Sequence, residues 1–171
     1  ESKVRGYLKE AKLPSTGKKV AVVGAWPSGL TAAYYLAKAG HAVTVFEALP
    51  VAGGMMAVGI PTYRLPKGIL QREIDNIKSL GVDIRLGVRI GKDIPLKDLM
   101  EGYDAVYAAV GAHVEQKLGV PGEDLPGVIP ATGFLKEVAL GGKPDIGAEV
   151  AVIGGGNSAI DAARTALRLG A

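Results

Sequence analysis

The chain has 171 residues, of which 48% are hydrophobic and 22% charged, a composition typical of about one globular domain and not of a disordered chain. The net charge is only +3 and the basic residues are scattered, so we expect no nucleic-acid partner. The absence of cysteine excludes disulfides, cysteine nucleophiles and thiolate-bound metal or iron–sulfur clusters within this chain, and we predict no metal site.

The first predicted elements form a strand–turn–helix–strand unit. Residues 1–17 are charged and predict a tail or linker. The runs "KKVAVVG" (18–24) and "HAVTVFE" (41–47) predict buried strands, and "SGLTAAYYLAKAG" (28–40) predicts a helix that ends at a glycine. Residues 20–37 carry no charge, but glycine and proline interrupt them, so we expect a βαβ unit and no membrane span.

The rest of the chain continues the alternation of helices and strands. Helices are predicted over 66–81, 96–101 and 131–140, and the last segment (149–170) again reads as strand, turn and helix. The predicted fold is therefore α/β, with a Rossmann-like parallel sheet. Its strands are expected at about 19–24, 42–47, 82–86, 104–110 and 149–153.

The end of the chain repeats its beginning. Shifted by 130 positions, residues 19–40 match 149–170 at eight places. The second copy contains Gly154–Ala159, a G-x-G-x-x-A turn between a strand and a helix. In this motif the first glycine allows the tight turn, the second lets backbone approach a pyrophosphate, and the third position is small so that the helix packs on the strand. We predict nucleotide binding here; a glycine-rich turn needed only for packing is the alternative.

The first copy, "VVGAWPSG" (22–29), departs from the motif at its middle position. Gly24 and Gly29 are in place, but Trp26, the only tryptophan of the chain, stands where Gly156 stands in the second copy. Glu47 follows Gly24 by 23 residues, near the spacing of about 20 that is typical of a ribose-binding acid. The alternative for Glu47 is a solvated acid at a strand end. Because the equivalent acid of the second copy would fall beyond residue 171, the choice between NAD and NADP stays open.

Longer stretches carry a more specific resemblance. These are "VTVFEALPVAGGMM", "GIPTYRLPK", "GVDIRLGVRIGKD", "YDAVYAAVGA", "LGVPGEDLPGV", "FLKEVA" and "VAVIGGGNSAIDAARTALRLGA". With them the chain resembles the glutamate synthase small-subunit family of FAD and NAD(P) oxidoreductases. This family includes the flavin region of dihydropyrimidine dehydrogenase and the large subunit of NADH-dependent ferredoxin:NADP oxidoreductase. The implied fold is that of a flavoprotein with two dinucleotide-binding domains.

The resemblance implies which residues contact each cofactor. For FAD they are the first turn (Gly24, Ala25, Trp26, Pro27, Ser28 and Gly29), the ribose acid Glu47, the flavin loop residues Gly54 and Met55, Arg64, Leu65 and Pro66 near the isoalloxazine, the backbone of Arg89 and Ile90 near the adenine, and Ala109 and Gly111. For NAD(P)H they are Gly154, Gly156, Asn157, Ser158, Ala159 and Asp161. For Arg64 a surface salt bridge is the alternative. His41 and His113 match no catalytic position of the family, and no catalytic side chain is predicted.

The same resemblance implies a domain organisation and a reaction. Residues 18–111 would begin the FAD domain, 112–148 would connect, and 149–171 would begin an inserted NAD(P)H domain. Hydride would pass from NAD(P)H to FAD, and electrons onward to an iron–sulfur or large catalytic subunit, in the cytoplasm. The cofactors carry this chemistry and the protein positions them.

Two departures from the family keep other readings open. Trp26 is predicted to disable or displace FAD, and the family continues beyond the point where residue 171 stands. A non-catalytic Rossmann scaffold that has lost flavin binding is therefore one alternative, and a module that binds a pyridine nucleotide only through 154–159 is another. An open sheet edge and an uncovered helix face would also favour self-association.

Overall fold

The computed structural model describes residues 12–171; the predicted tail 1–17 therefore lies largely outside the described residues. The elements are the strands β1 (Lys19–Val23), β2 (Ala42–Glu47), β3 (Asp83–Leu86) and β4 (Ala105–Ala108), and the helices α1 (Pro27–Lys38), α2 (Met55–Val58), α3 (Lys67–Ser79), α4 (Leu96–Gly102), α5 (Ala131–Ala139) and α6 (Asn157–Leu169). The short helix α2 was not predicted from the sequence.

The four strands form one parallel sheet in the order β3-β2-β1-β4, which confirms the α/β fold. Val22 of β1 pairs with Val45 of β2 on one side and with Tyr107 of β4 on the other. Val22 and Val45 are fully buried, as expected for the central strands of a parallel sheet. Because all strands run the same way, their carboxyl ends, and the turns that follow them, meet at one edge.

The predicted fifth strand at 149–153 is wrong for the described residues. This segment has no regular structure, and Val150, Val152 and Ile153 are exposed, Ile153 by 81%. A strand is defined by hydrogen bonds to a neighbour, and no strand within residues 12–171 pairs with this one. Its β-branched sequence is therefore not sufficient to produce a strand here.

The chain divides into two compact units. One comprises the described residues up to Ala52 and Arg72–Val110; the other comprises Gly53–Gln71 and Gly111–Ala171. In the first unit, Ala21, Phe46 and Leu99 form a buried cluster that joins the sheet to α4. In the second, Phe134 and Leu135 of α5 pack on Ala162 and Ala166 of α6, which places the apolar face of each helix against the other. The predicted domain boundaries stay a prediction.

Among the described residues, no helix is both long and apolar enough to cross a membrane.

Candidate functional site

The first glycine-rich turn follows β1, and the side chain of Glu47 stabilises it by a hydrogen bond. The Glu47 side chain is buried, with 2% of the residue exposed. Its carboxylate accepts hydrogen bonds from the backbone N–H of Ala25 and of Leu49, both at 2.8 Å. Glu47 is thus not the solvated acid that the sequence left as an alternative. It fixes the turn, and its contact with a ribose stays a prediction.

Two glycines of this turn are required by the fold itself. Gly24 has φ +108°, and a Cβ built there would lie 2.1 Å from the carbonyl oxygen of Ala109. A Cβ on Gly29 would lie 2.0 Å from the carbonyl oxygen of Gly24. Only glycine fits such close backbone approaches, so both positions are fixed by the packing of the turn against the end of β4. Ala109 is correspondingly buried.

Trp26 is the N-cap residue of α1, with Pro27 at the first helical position. Its backbone is extended (φ −90°, ψ 170°), its carbonyl accepts from Leu30 N–H at 2.8 Å, and its side chain is half-buried. The Trp26 side chain makes no capping hydrogen bond to this helix. The neighbouring Ser28 hydroxyl lies 2.9 Å from the hydroxyl of Tyr107 on β4. The first turn is therefore formed in full despite its tryptophan.

The second turn has the same backbone form. Gly154 has φ +115°, Gly156 is the N-cap of α6 with φ −76° and ψ 174°, and the helix starts at Asn157. Gly156 brings no capping side chain to the N-terminus of α6, and the first N–H groups of a helix without such a cap are suited to bind an anion. Ser158 is exposed, and Ala159 is buried. The geometry fits a pyrophosphate resting on the turn.

Arg64 and Asp161, predicted to lie near different cofactors, form an ion pair. Arg64 Nη1 lies 2.8 Å from Asp161 Oδ2, and the Asp161 side chain is only 5% exposed. The Tyr63 hydroxyl donates to the backbone carbonyl of Asp161 at 3.3 Å. The guanidinium groups of Arg164 and Arg168 lie 4.6 and 4.1 Å from the Tyr63 ring centroid. Residues 63–64 are thereby bound to one face of α6.

Lys67 organises the loop before α3. Its ammonium donates to the carbonyl oxygens of Met56, at 2.7 Å, and of Ile60. These carbonyls belong to α2 and the turn after it, so Lys67 supplies the cation that a helix C-terminus favours. Burial lowers the pKa of Lys67 below its ordinary value. Gly54, with φ +54°, is the N-cap of α2, and Leu65 and Pro66 lead into α3.

Met55 borders an open pocket of about 100 Å³ in the second unit. The other lining residues are Ala112, His113, Glu115, Thr132, Gly133 and Lys136. Glu115 accepts hydrogen bonds from the hydroxyl of Thr132 and, at 2.6 Å, from the backbone N–H of Gly133. Glu115 thus satisfies one of the free backbone N–H groups at the start of α5.

The other residues predicted to contact FAD take part in the local structure around them. The backbone N–H of Arg89 donates to Asp93 at 2.7 Å, and its carbonyl accepts from Lys92 and Asp93. Ile90 packs beside the cluster of Ala21, Phe46 and Leu99. Gly111 has φ +68°, which only glycine adopts readily. The His41 ring lies 2.7 Å from the hydroxyl of Thr16.

Sequence reasoning missed four partner residues of the site: Tyr63, Lys67, Tyr107 and Glu115. The motifs and the family resemblance point to residues that face the cofactors, whereas these four residues act through side-chain contacts to other parts of the protein. The tyrosine beside Arg64 in "TYRLPK" was the available signal, because aromatic rings and guanidinium groups pair often.

The chain is similar to known proteins in both sequence and structure. Residues 18–171 match the family Pyridine nucleotide-disulphide oxidoreductase. The beta subunit of NADP(+)-dependent formate dehydrogenase from Moorella thermoacetica is 54% identical over 165 residues, covering 95% of this chain and 23% of its own. The glutamate synthase [NADPH] small chain of Halomonas elongata is 40% identical, covering 94% and 36%. The structure of Mycobacterium tuberculosis FprA in complex with NADPH superposes with a TM-score of 0.76 at 32% identity, covering 89% of this chain and 36% of that one.

These matches confirm the resemblance to the glutamate synthase small-subunit family. The formate dehydrogenase is named as NADP(+)-dependent, the glutamate synthase is named with NADPH, and FprA was solved in complex with NADPH; the first two relatives are a beta subunit and a small chain. The chain spans about a quarter to a third of the length of the relatives that it matches. The chain belongs to the pyridine nucleotide-disulphide oxidoreductase family.

Proposed function

We propose that this chain is the dinucleotide-binding part of a cytoplasmic NAD(P)H-dependent flavin oxidoreductase. In such an enzyme the two cofactors supply the chemistry, which is hydride transfer from the nicotinamide to the flavin. The residues of the chain bind and orient the cofactors. The pyridine nucleotide is assigned to the turn 154–159 and FAD to the turn 24–29 with Glu47.

The observation that carries this proposal is a glycine that the fold does not need. Gly156 has the ordinary φ of −76°, and a Cβ built on it would meet no described atom within 4 Å. Glycine is accepted at an N-cap, but neither the backbone conformation nor the space at this position requires it. A ligand that approaches the backbone would require it. The N-terminus of α6, to which Gly156 brings no capping side chain, is suited to a phosphate.

The backbone around the first turn fits an FAD pyrophosphate, except at the position of Trp26. Gly24, Gly29 and Ala109 form the tight turn, and Glu47 stabilises it from the strand end. Trp26 departs from that fit, because the middle residue of the motif lies where the pyrophosphate approaches the backbone.

The onward electron acceptor is proposed to be a separate redox subunit. The relatives that are named as beta subunits or small chains support this. Without thiolates, these 171 residues cannot hold an iron–sulfur cluster in the usual way, so a cluster that takes up the electrons would lie outside them.

Nucleotide titration of the purified chain tests the proposal. NADPH fluorescence would be followed for the parent protein, Gly156→Val and Gly155→Ala. Gly155→Ala is the matched control, because the first turn carries Ala25 at that position and a Cβ on Gly155 meets no described atom within 4 Å. We expect Gly156→Val to weaken NADPH binding on the order of 10- to 100-fold, from lost contacts to a charged group, and Gly155→Ala to bind normally. Binding that is equal in all three proteins would refute the assignment.

A nucleotide-binding module without flavin is the second candidate, and Trp26 favours it. Measurement of bound FAD distinguishes the two candidate functions. The oxidoreductase requires that the first turn can bind FAD when glycine replaces Trp26.

A further inference from the structure

The middle positions of the two turns have the same place in the motif and a similar backbone conformation, but they carry different side chains. Trp26 and Gly156 are each the N-cap of a long helix, with φ, ψ of −90°, 170° and −76°, 174°. Each carbonyl accepts the first helical hydrogen bond, from Leu30 at 2.8 Å and from Ile160 at 3.0 Å. Since both backbones are extended, neither conformation requires glycine.

The fold therefore tolerates a large side chain at this position. A Cβ on Gly156 would meet no described atom within 4 Å, whereas one on Gly24 or Gly29 would approach a carbonyl oxygen to about 2 Å. Around Trp26 the turn retains its hydrogen bonds, from Gly24 N–H to the Phe46 carbonyl at 2.7 Å and from Ala25 N–H to Glu47 at 2.8 Å. A side chain at position 26 therefore leaves the backbone of the turn unchanged and reduces only the space in front of it.

Tryptophan is not a good residue for capping a helix. Good N-cap residues accept a hydrogen bond from the first turn of the helix, which an indole cannot do because its nitrogen only donates. The Trp26 side chain forms no cap on α1, and the residue is half-buried. As the N-cap residue, Trp26 stands next to the first N–H groups of α1, where a pyrophosphate would rest.

We propose that Trp26 makes the flavin site of this chain weak, by keeping the FAD pyrophosphate off the first turn, while the second turn keeps its affinity for the pyridine nucleotide. This inference rests on the proposed function. It predicts a protein from which flavin dissociates readily and in which one residue sets the flavin affinity. Glu47, Gly24 and Gly29 are ready to receive FAD once the indole is removed.

The experiment compares the parent chain with Trp26→Gly, Trp26→Ala and Gly156→Trp. Each protein is titrated with FAD, and bound flavin is measured by absorbance after desalting. Trp26→Ala keeps a Cβ but removes the ring, and it also serves if the glycine variant folds poorly. Gly156→Trp places the same ring on the other turn and is the matched control. Circular dichroism checks the fold of each variant.

A second readout is built into the parent protein. Trp26 is its only tryptophan, so its emission reports on the first turn alone. FAD that binds at this turn would quench that emission by energy transfer, whereas NADPH bound at the second turn of the same protein is measured through its own fluorescence.

We expect Trp26→Gly to bind FAD on the order of 10- to 100-fold more tightly than the parent chain, because contacts from N–H groups to a charged phosphate are regained. Trp26→Ala should lie between them, and Gly156→Trp should lose NADPH but not change FAD binding. Equal, tight FAD binding by the parent and Trp26→Gly, with quenched Trp26 emission, would overturn the inference and leave the proposed function standing. Absence of FAD binding in every folded variant would overturn the proposed function, and the inference with it.

Discussion

Arg64 and Asp161 are joined by an ion pair of 2.8 Å whose carboxylate side is 95% shielded from solvent. The sequence left a salt bridge and a flavin contact open for Arg64, and the structure forms the salt bridge. The other oxygen of Asp161, Oδ1, and the hydroxyl of Thr165 one turn further along α6 are buried and have no hydrogen-bond partner among the described residues. Arg64 is therefore the group that compensates the charge of Asp161.

Replacement of Arg64 by Met should destabilise the second unit. The change leaves a buried carboxylate without its cation, which costs about 1–3 kcal/mol when the missing partner is itself partly exposed. Urea unfolding would show this as a lower midpoint. Arg64→Lys keeps the charge and should lose less, and the double variant Arg64→Met/Asp161→Asn should recover part of the loss. If Arg64→Met unfolded at the parental midpoint, the ion pair would contribute nothing to stability.

Glu47→Gln should loosen the first turn without changing its volume. The carboxylate accepts from two backbone N–H groups, and a glutamine must turn its own NH₂ donors toward one of them. We expect a loss of about 1–3 kcal/mol in the free energy of unfolding. The check is chemical denaturation in the absence of nucleotide, which separates this structural role from any contact with a ribose. Unchanged stability would mean that the carboxylate does not hold the turn.

Gly24→Ala and Gly156→Ala should have opposite consequences. At Gly24 the new Cβ would lie 2.1 Å from the carbonyl oxygen of Ala109, at a φ of +108°, so we expect a loss of more than about 3 kcal/mol or failure to fold. At Gly156 the change should stay within about 1 kcal/mol, since φ is ordinary and the space is open. Thermal melts of both variants, with NADPH titration of the second, would test the pair. Similar melting of the two variants would contradict the close packing of Gly24.

Asp104→Asn should change the dependence of stability on pH. The hydrogen bond from Lys18 and then that from the backbone N–H of Lys19 hold the pKa of Asp104 below its ordinary 3.8. A carboxyl with a lowered pKa stabilises the fold above that ordinary value and loses the contribution as pH falls through the lowered one. The hydrogen bond to Asp104 also raises the pKa of Lys18, whose contribution is lost only at strongly alkaline pH.

The stability difference between Asp104→Asn and the parent chain should therefore be small but present at neutral pH and shrink in acid. Urea unfolding at several pH values measures it. A difference that persists unchanged below the ordinary pKa of aspartate would show that the charge of Asp104 is not its cause.

Ile153→Lys should reduce self-association. Ile153 is 81% exposed in the β-branched segment 149–153, which pairs with no described strand, and apolar exposed segments of this kind favour pairing with a second copy. Sedimentation at rising concentration should show the parent chain associating more than the variant. A parent chain that stays monomeric at high concentration would remove the basis for this expectation.

The sequence by itself determined the local elements and the turns between them. Runs such as 18–24 and 28–40 reveal a strand and a helix because their periodicity is a local property, and the helices α1, α3, α4, α5 and α6 are where the pattern predicts. The tight position of Gly24 was also predictable, since the motif encodes its backbone conformation. The tertiary structure decided what depends on partners distant in the chain. It left 149–153 without a neighbouring strand, joined Arg64 to Asp161 across 97 residues, and buried Glu47 under the turn it holds. Strand pairing, ion pairs and burial are relations between segments, and no periodicity within one segment contains them.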